Sequence, residues 1–341
     1  MKITELQIPG YERVASCLDG DYHGIVAIHS TKLGPAVGGT RLWKYENEEA
    51  AIKDLLRLAR GMTYKNALAG LPLGGGKSII LRPDGLIDRD KMFRAHGRFV
   101  ETFGGRYITA EDVGTNPDDI AIVRQETEHA AGLYGLSGDP SPFTARGVFR
   151  AMQAAATHRW GSESLVGKTV ALQGCGNVGY HLAKRLHADD ARLIVSDVDA
   201  VKVDRLVKEF DAVAVAPEEI YSVASDVYAP CALGGTINDE TIPQIKAAII
   251  TGGANNQLLE ERHGDELEKR GILYAPDYAA NAGGIINGCR ELLGWEELQT
   301  TAKVDEIYET VLDIFRTAAA EGIPTYKAAD HLAERRLNEN N

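Results

Sequence analysis

The segment 174–179, which reads Gly-Cys-Gly-Asn-Val-Gly, constrains the fold of this chain more than any other part of its sequence. It directly follows the apolar run Val170-Ala171-Leu172 and opens a helical pattern. In this strand-to-helix setting, a Gly-x-Gly-x-x-Gly turn lets the backbone approach a pyrophosphate, which the N–H groups and the positive end of the helix can hold. The sequence therefore predicts a dinucleotide site formed by Gly174, Cys175, Gly176, Asn177, Val178, Gly179 and Tyr180.

An acidic residue ends the next predicted strand and indicates which dinucleotide binds. Asp197 follows Gly179 by eighteen positions, where a carboxylate can accept hydrogen bonds from the adenosine ribose and would repel a 2′-phosphate. The sequence thus predicts NAD rather than NADP as the cofactor, although Lys202 and Arg205 could weaken that preference. The alternative is a glycine turn used only for strand-to-helix packing, and the strand, the helix and the acidic residue together favour the cofactor site over it.

Strand and helix patterns alternate after residue 142, and this alternation predicts the fold class. Short apolar runs at residues 169–172, 192–196, 213–215, 227–228, 248–250 and 272–274 accompany a helical pattern at residues 177–187. Such a series predicts an α/β fold with a doubly wound parallel sheet. A single long helix is predicted to follow and to end near Gly322 and Pro324. It carries the apolar residues Val304, Ile307, Tyr308, Val311, Leu312 and Phe315.

The first part of the chain shows helical patterns and then a candidate connection between domains. Asn47 can cap a first helix, a second is predicted around residues 92–103, and a third begins at Pro117. The run at residues 135–142, Gly-Leu-Ser-Gly-Asp-Pro-Ser-Pro, has the composition of a connection. Because 341 residues exceed what a single core usually supports, we expect two domains that share a cleft.

Composition and sequence patterns disfavour several classes of partner and site. The net charge of −12, from 37 basic and 49 acidic side chains, disfavours nucleic acid and an anionic membrane surface. No segment reaches the apolar length of a membrane span, and residues 1–10 lack the pattern of a signal peptide. The 4 cysteines lie far apart without a Cys-x-x-Cys pair, which predicts neither a disulfide framework nor a zinc site. We therefore expect a cytoplasmic protein without a bound metal.

Two lysines, Lys65 and Lys77, lie in a glycine-rich region with few charges. The letters Gly-Lys-Ser at residues 76–78 resemble a nucleotide-binding P-loop, but the first glycine of that motif would fall at Leu71, so this interpretation fails on spacing. Desolvation can lower the pKa of a lysine, which makes Lys77 a candidate catalytic base. The alternative is a solvated loop lysine. The catalytic interpretation requires that Lys65 and an acid of residues 110–114 reach the same cleft.

The lysine segments belong to a longer series of motifs, at residues 33–41, 62–67, 73–78, 107–115, 139–142, 174–179, 229–232, 253–257 and 281–284. In this order, and over nearly the whole chain, the series resembles the superfamily of leucine, phenylalanine, valine and glutamate dehydrogenases. The leucine dehydrogenase branch is the most similar. So many ordered matches make the resemblance highly specific.

The resemblance implies an α/β architecture of two domains, with the chemistry in the cleft between them. An N-terminal substrate-binding and oligomerisation domain would comprise residues 1–134 and 322–341, and a doubly wound, NAD-binding Rossmann domain would comprise residues 135–321. The implied reaction is the reversible oxidation of a neutral L-amino acid to its 2-oxo acid and ammonia. The implied partners are therefore small molecules, and the implied assembly is a homo-oligomer, with octamers usual in the leucine branch.

Roles for individual residues also follow from the resemblance. In the family, the lysine matching Lys65 binds the substrate carboxylate, the lysine matching Lys77 activates water or assists proton transfer at the 2-carbon, and the aspartate matching Asp112 exchanges a proton with the amino group. The further cofactor-binding residues implied are Thr144, which would contact the nicotinamide amide, with Asp197, Cys231, Ala232, Ala254, Asn255 and Asn256. The further substrate-binding residues implied are Val37, Gly38, Gly39, Met62, Ala110, Ile285 and Gly288.

Three of these positions bear on the choice of amino acid. Glutamate dehydrogenases carry a lysine where this chain has Val37 and a serine where it has Gly288, so glutamate is disfavoured. Ala110 resembles leucine dehydrogenases, but Val37 and Gly288 are smaller than the leucine and valine usual there. Leucine and other branched-chain amino acids are therefore favoured, with an aromatic amino acid as the alternative. A non-catalytic NAD-binding regulator, an alternative of another class, would have lost Lys77 or Asp112, and both are present.

Overall fold

The described residues of the computed structural model, 1–83, 85, 88–132 and 138–339, fall into two compact units. Unit 1 comprises Met1–Gly138, Gly288–Trp295 and Ala333–Asn341, and unit 2 comprises Asp139–Asn287 and Glu296–Leu332. The domain limits and the cleft expected from the sequence stay predictions. The limit between residues 134 and 135 lies outside the described residues.

A mixed sheet of six strands forms the centre of the described part of unit 1, in the order β1-β2-β3-β5-β4-β6. Neighbouring strands from β1 to β5 are antiparallel, whereas β4 runs parallel to both β5 and β6. The strands are β1 (Lys2–Leu6), β2 (Arg13–Asp19), β3 (Tyr22–Ser30), β4 (Ala36–Trp43), β5 (Gly74–Leu81) and β6 (Tyr107–Glu111). Because β5 begins with three consecutive glycines, which are poor strand formers, sequence patterns did not predict this central strand.

Helices cover both faces of this sheet. They are α1 (Glu48–Leu68), α2 (Arg89–Glu101) and α3 (Pro117–Arg124). The Asn47 side chain caps α1, which packs in one core cluster with Ala27 and Ile79 of the sheet. Phe93 and Phe99 of α2 belong to a second core cluster, formed with the side chains of the opposite face. The three helices predicted in this part of the chain are confirmed.

The sheet of unit 2 has six parallel strands among the described residues, in the order β12-β11-β10-β7-β8-β9. They are β7 (Thr169–Gln173), β8 (Arg192–Ser196), β9 (Val213–Ala214), β10 (Val227–Pro230), β11 (Ile249–Ile250) and β12 (Leu273–Tyr274). The chain builds outward from β7 through β8 and β9, and then from β10 on the other side. In this order, ligands bind beyond the carboxyl ends of the strands where the winding reverses. The predicted doubly wound parallel sheet is confirmed, and the reversal lies between β7 and β10.

The helices of unit 2 are α4 (Ser141–Trp160), α5 (Asn177–Ala188), α6 (Ala200–Phe210), α7 (Arg262–Lys269), α8 (Asp277–Ala280), α10 (Glu297–Asp305) and α11 (Ile307–Glu321), and the division between the units falls within α9 (Gly283–Leu292) and α12 (Thr325–Glu339). The prediction of one long helix through Val304 is wrong, because Glu306 separates α10 from α11. Arg146 of α4 donates two hydrogen bonds of 2.7 Å to Asp305 at this junction. No glycine or proline marks the break, so the sequence pattern could not show it.

Among the described residues, no helix has the length and apolar character that crossing a membrane requires.

Candidate active site

Strand pairing brings several of the predicted substrate-site residues to one face of the unit 1 sheet. Gly39 of β4 pairs with Ala110 of β6, and Arg41 pairs with Ile79 of β5. Paired residues of parallel strands share a face, and alternate residues along a strand return to it. Lys77 is two residues before Ile79, so Gly39, Arg41, Lys77 and Ala110 lie on the same face, with Val37 two residues before Gly39.

An ion pair joins the two predicted catalytic residues. Nζ of Lys77 donates to Oδ2 of Asp112, which follows β6, at a distance of 3.0 Å. Lys77 is buried, and the loss of solvation lowers the pKa of its ammonium group, an effect that the charge of Asp112 offsets only in part. The solvated loop lysine considered above is therefore excluded, and Lys77 is a lysine that releases its proton more readily than an exposed one.

A second cation contacts the same carboxylate. Nε of Arg41 donates to Oδ2 of Asp112 at 3.0 Å, and Nη1 of Arg41 donates to Oδ2 of Asp54 on α1 at 2.8 Å. Burial of Asp112 favours its neutral form, but the charges of Lys77 and Arg41 outweigh burial and lower the pKa of Asp112. Asp112 is therefore held as a carboxylate between two cations.

The turn after β6 fixes the backbone of Asp112. The Thr115 hydroxyl accepts from the Asp112 N–H at 2.9 Å and lies 3.0 Å from the carbonyl oxygen of Thr40 on β4. Gly114 has φ +83, and a Cβ atom there would lie 2.0 Å from the carbonyl oxygen of Leu42. Only glycine fits this turn without strain.

Helix α1 carries the other predicted substrate contacts of unit 1. Met62 and Lys65 are three residues apart and so are neighbours on the helix surface, and both are half-buried. The Asn66 amide donates to the carbonyl oxygen of Gly74 at 2.6 Å. The Thr63 hydroxyl lies 3.5 Å from the carbonyl oxygen of Gly75. These contacts seat this stretch of α1 beside the start of β5, the strand that carries Lys77.

Gly38 stands on the opposite face, where its carbonyl oxygen accepts from the Tyr107 hydroxyl at 2.6 Å. The hydroxyls of Thr40 and Ser78 lie 2.7 Å apart on this face, and Nε2 of His96 lies 2.8 Å from the Thr40 hydroxyl. Burial lowers the pKa of His96 to about 3, which keeps the imidazole neutral. These buried hydrogen bonds connect β4 with β5 on the face of the sheet opposite Lys77.

In unit 2, the predicted dinucleotide turn has the geometry that its glycines require. Asn177 is the first residue of α5, and Gly176 precedes it without a side-chain cap for the free N–H groups of the helix. A Cβ atom at Gly179 would lie 2.0 Å from the carbonyl oxygen of Gly174. Val178 and Tyr180 continue the same helix. The uncapped helix end and close backbone approach fit a pyrophosphate group.

Asp197 contacts this turn directly. Its Oδ2 atom accepts from the Cys175 N–H at 2.7 Å, and its Oδ1 atom accepts from the Asp199 N–H at 2.9 Å. The two cations that could weaken the preference for NAD have other partners, since Lys202 lies 3.2 Å from Asp199 and Arg205 lies 2.9 Å from Glu209. Asp197 is thus the acidic group at the turn, where an adenosine ribose would bind.

The remaining cofactor candidates lie beyond the ends of β10 and β11, except Thr144, which lies on α4. The backbone of Cys231 and Ala232 would lie within 3 Å of a Cβ atom at Gly174, which places these residues across the reversal point from the turn. Ala254 is buried, Asn256 has a positive φ of 52, and the Asn255 side chain accepts from Asn281 at 2.8 Å. The Thr144 hydroxyl lies 3.1 Å from the carbonyl oxygen of Pro140.

Two substrate candidates lie on α9, and the division between the units separates them. Ile285 belongs to unit 2 and Gly288 to unit 1, and both are half-buried. The predicted site residues are therefore divided between the two units. Among the described residues, no cluster of His, Cys, Asp and Glu side chains could hold a metal ion.

Sequence reasoning did not single out Arg41 or Asp54 as members of this site. A signal for Arg41 was present. Gly39 lies two positions before Arg41, so a strand through residues 36–43 places both residues on the same face. Asp54 lies on the helix predicted after Asn47 and carries no comparable signal.

Two family models match the chain. One, described as Glu/Leu/Phe/Val dehydrogenase, dimerisation domain, matches residues 17–129. The other, described as Glutamate/Leucine/Phenylalanine/Valine dehydrogenase, matches residues 135–205 and 195–341.

Named relatives match over nearly the full length of the chain. Leucine dehydrogenase of Bacillus cereus is 54% identical over 332 residues, which are 96% of this chain and 91% of that protein. Valine dehydrogenase of Streptomyces albus is 46% identical over 338 residues, or 97% and 93% of the two chains. The crystal structure of L-tryptophan dehydrogenase from Nostoc punctiforme has a TM-score of 0.89 and 47% identity, and the match covers 97% of each chain.

Proposed function

The chain belongs to the Glu/Leu/Phe/Val dehydrogenase family, and from that premise we propose that it converts a neutral L-amino acid into its 2-oxo acid and ammonia. It is an amino-acid dehydrogenase, an oxidoreductase that acts on a CH–NH2 group. Leucine and other branched-chain amino acids are the favoured substrates in this proposal, and NAD is the favoured hydride acceptor.

The observation that carries the proposal is the contact between Lys77 and Asp112. A buried lysine of lowered pKa can take a proton from water, while the carboxylate beside it can give a proton to an amine and take it back. Oxidative deamination needs both kinds of proton transfer. The two groups therefore fit this reaction better than either would alone.

The protein residues have the following proposed roles. Lys65 binds the substrate carboxylate, which fixes the 2-carbon. NAD, when bound, accepts the hydride that leaves this carbon. Lys77 takes a proton from water as the water oxygen bonds to the 2-carbon, passes it to solvent, and takes the second proton of that water as the carbonyl group forms. Asp112 takes a proton from the substrate ammonium group at the start and returns a proton to the nitrogen as it leaves as ammonia.

The turn at residues 174–179 is the proposed pyrophosphate site, and Asp197 is the proposed ribose contact. The uncapped N-terminus of α5 and the free lone pairs of the Asp197 carboxylate support these roles. The carboxylate also disfavours a 2′-phosphate, which supports NAD over NADP.

An aromatic substrate is the second candidate, and two features favour it. Val37 and Gly288 are smaller than the residues that the resemblance leads us to expect, which would enlarge the space at the end of the substrate side chain. In addition, a relative 49% identical over 333 residues is the L-tryptophan dehydrogenase of Nostoc punctiforme. A cytoplasmic location and assembly into a homo-oligomer complete the proposal.

The experiment that tests this proposal is a substrate panel. The purified protein is incubated with NAD and each of the neutral L-amino acids, with L-glutamate and D-leucine as controls, and the formation of reduced cofactor is followed by absorbance. We expect turnover of L-leucine or an aromatic L-amino acid and none of D-leucine. Absence of turnover with every neutral amino acid, with NAD or NADP, would contradict the proposed function.

A further inference from the structure

The carboxylate of Asp112 has two unequal oxygen atoms. Lys77 Nζ and Arg41 Nε both lie 3.0 Å from Oδ2. Across the described part of the chain, no side chain or backbone group donates a hydrogen bond to Oδ1. One oxygen is thus held by two cations and the other has its lone pairs available.

Arg41 is itself held from its other side. Its Nη1 atom lies 2.8 Å from Oδ2 of Asp54, and the Tyr45 hydroxyl donates to the same Asp54 oxygen at 2.7 Å. The other oxygen of Asp54 accepts from Arg57 at 3.0 Å. The guanidinium group is planar and its donors are fixed relative to one another, so two carboxylates on different edges determine its orientation.

We propose that Arg41 is a positioning residue for the reaction, which commits Oδ2 of Asp112 together with Lys77 and so leaves Oδ1 as the oxygen that exchanges the proton with the substrate nitrogen. This inference rests on the proposed function. Arg41 stays protonated throughout, because a guanidinium group does not lose its proton in proteins. It therefore acts through Asp112.

The proton that Asp112 takes up is returned in full, so its part of the reaction needs no other reactant. The lone pair of Oδ1 takes one proton from the substrate ammonium group, which gives a neutral carboxylic acid while Oδ2 stays in place. The same proton returns to the nitrogen as the bond between nitrogen and the 2-carbon breaks, which restores the carboxylate. A rotating carboxylate would offer either oxygen, and two ion pairs on Oδ2 prevent that rotation.

The charges around Asp112 determine the sign of the test. Lys77 faces it from β5, and Arg41 faces it from β4 with Asp54 of α1 behind. Removing the charge of Arg41 raises the pKa of Asp112 and also raises that of Lys77, since Arg41 lowers both. Oxidation requires the ionised aspartate and the neutral lysine, so kcat falls at low pH as either group takes up a proton. We call this fall the low-pH limb of the profile. Loss of Arg41 moves the low-pH limb to higher pH, whichever of the two groups controls it.

The test compares Arg41→Met, Arg41→Lys and the control Arg57→Met, with kcat for amino-acid oxidation measured across pH. For Arg41→Met we expect the low-pH limb to move up by about one pH unit or more and the maximal kcat to fall by about ten- to hundredfold. In Arg41→Lys the low-pH limb should return to its wild-type pH, because a lysine keeps the charge. The maximal kcat should stay low, because a lysine cannot bridge two carboxylates. Arg57→Met removes a guanidinium from Asp54 but none from Asp112, and it should leave the limb in place.

Binding of reduced cofactor, followed by its fluorescence, and the temperature of unfolding show whether each variant is folded. A folded Arg41→Met protein with the wild-type limb overturns the inference, as does an equal shift in Arg57→Met. If Arg41→Met does not fold, a maximal kcat of Arg41→Lys within about threefold of wild type overturns it. A wild-type protein that oxidises no amino acid overturns the proposed function instead, and the inference with it.

Discussion

Nζ of Lys77 lies 3.0 Å from Oδ2 of Asp112, and the lysine is the more deeply buried partner, with its side chain 7% exposed against 22% for the aspartate. Burial therefore affects the lysine more strongly, and its pKa falls although the carboxylate opposes that change. The aspartate faces two cations and stays ionised. The pair combines a base that releases its proton readily with a carboxylate that can carry one.

The two lysines should separate in their kinetic effects. Lys77→Ala should lower kcat by about 10²–10⁴-fold, because proton transfer by a positioned group contributes about that much. Lys65→Ala should raise the Michaelis constant for the amino acid more than Lys77→Ala does, since it removes a contact to the bound carboxylate. Steady-state kinetics of both variants provide the measurement. A kcat of Lys77→Ala within about threefold of wild type would rule out its catalytic role.

The pH dependence of kcat should report the state of Lys77. Oxidation requires Lys77 as a neutral amine, so kcat should rise as pH increases through the pKa of Lys77. Because burial lowers that pKa, the rise should be centred below the ordinary lysine value of about 10.4. Asp112→Asn removes the charge that raises the pKa of Lys77, so the rise should move to lower pH while the maximal kcat falls. An Asp112→Asn profile centred at the wild-type pH or above it would contradict this prediction.

The choice of cofactor should depend on Asp197. Asp197→Ser removes a charged acceptor from the ribose site, which corresponds to about 1.5–3 kcal/mol, or roughly ten- to hundredfold weaker NAD binding. Binding of NADP should improve relative to NAD, because the repulsion of its 2′-phosphate is lost. Asp197→Asn is the second variant: its one oxygen can still accept from the Cys175 N–H, but it loses the charge and the acceptor for the Asp199 N–H, so it should also weaken NAD binding. Equal use of NAD and NADP by the wild-type protein would remove the basis for this role.

Position 288 should influence substrate size. A smaller residue here leaves room for a long or aromatic side chain but loses contact with a short one, so we expect measurable oxidation of phenylalanine or methionine beside leucine. Gly288→Val should shift the ratio of kcat/KM values toward leucine and valine, by roughly tenfold or more if about one to three kcal/mol of contact is regained. Gly288→Ala should give an intermediate ratio. An unchanged ratio of leucine to phenylalanine in Gly288→Val would show that residue 288 does not line the pocket.

Local patterns were sufficient to predict the six strands of unit 2 and the helix α5. β8 has the predicted bounds Arg192–Ser196, and α5 begins at Asn177 as predicted. Alternation of apolar runs and a glycine turn between strand and helix are short-range properties, which a sequence displays directly. The break at Glu306 was missed because both flanking helices keep the same apolar spacing without a helix-breaking residue.

The candidate site in unit 1 depended on information that local patterns do not contain. Lys77 lies on β5, Arg41 on β4 and Asp112 directly after β6, and only the parallel pairing of β4 with β5 and β6 brings them together. Register between strands is a tertiary property, determined by packing on both faces of the sheet. The glycine-rich setting indicated Lys77, and the resemblance to a family supplied Asp112 and the roles of both residues. Neither supplied a role for Arg41 or its contact with Asp54.

The central claim, oxidative deamination of a neutral L-amino acid, is tested most directly by product stoichiometry. The wild-type protein is incubated with L-leucine and NAD, and the 2-oxo acid, ammonia and reduced cofactor formed are each quantified. We predict equal amounts of the three products, and consumption of reduced cofactor when the 2-oxo acid and ammonia are supplied instead. If L-leucine and the other neutral L-amino acids, tested in the same way, yield no ammonia and no reduced cofactor, the claim is contradicted.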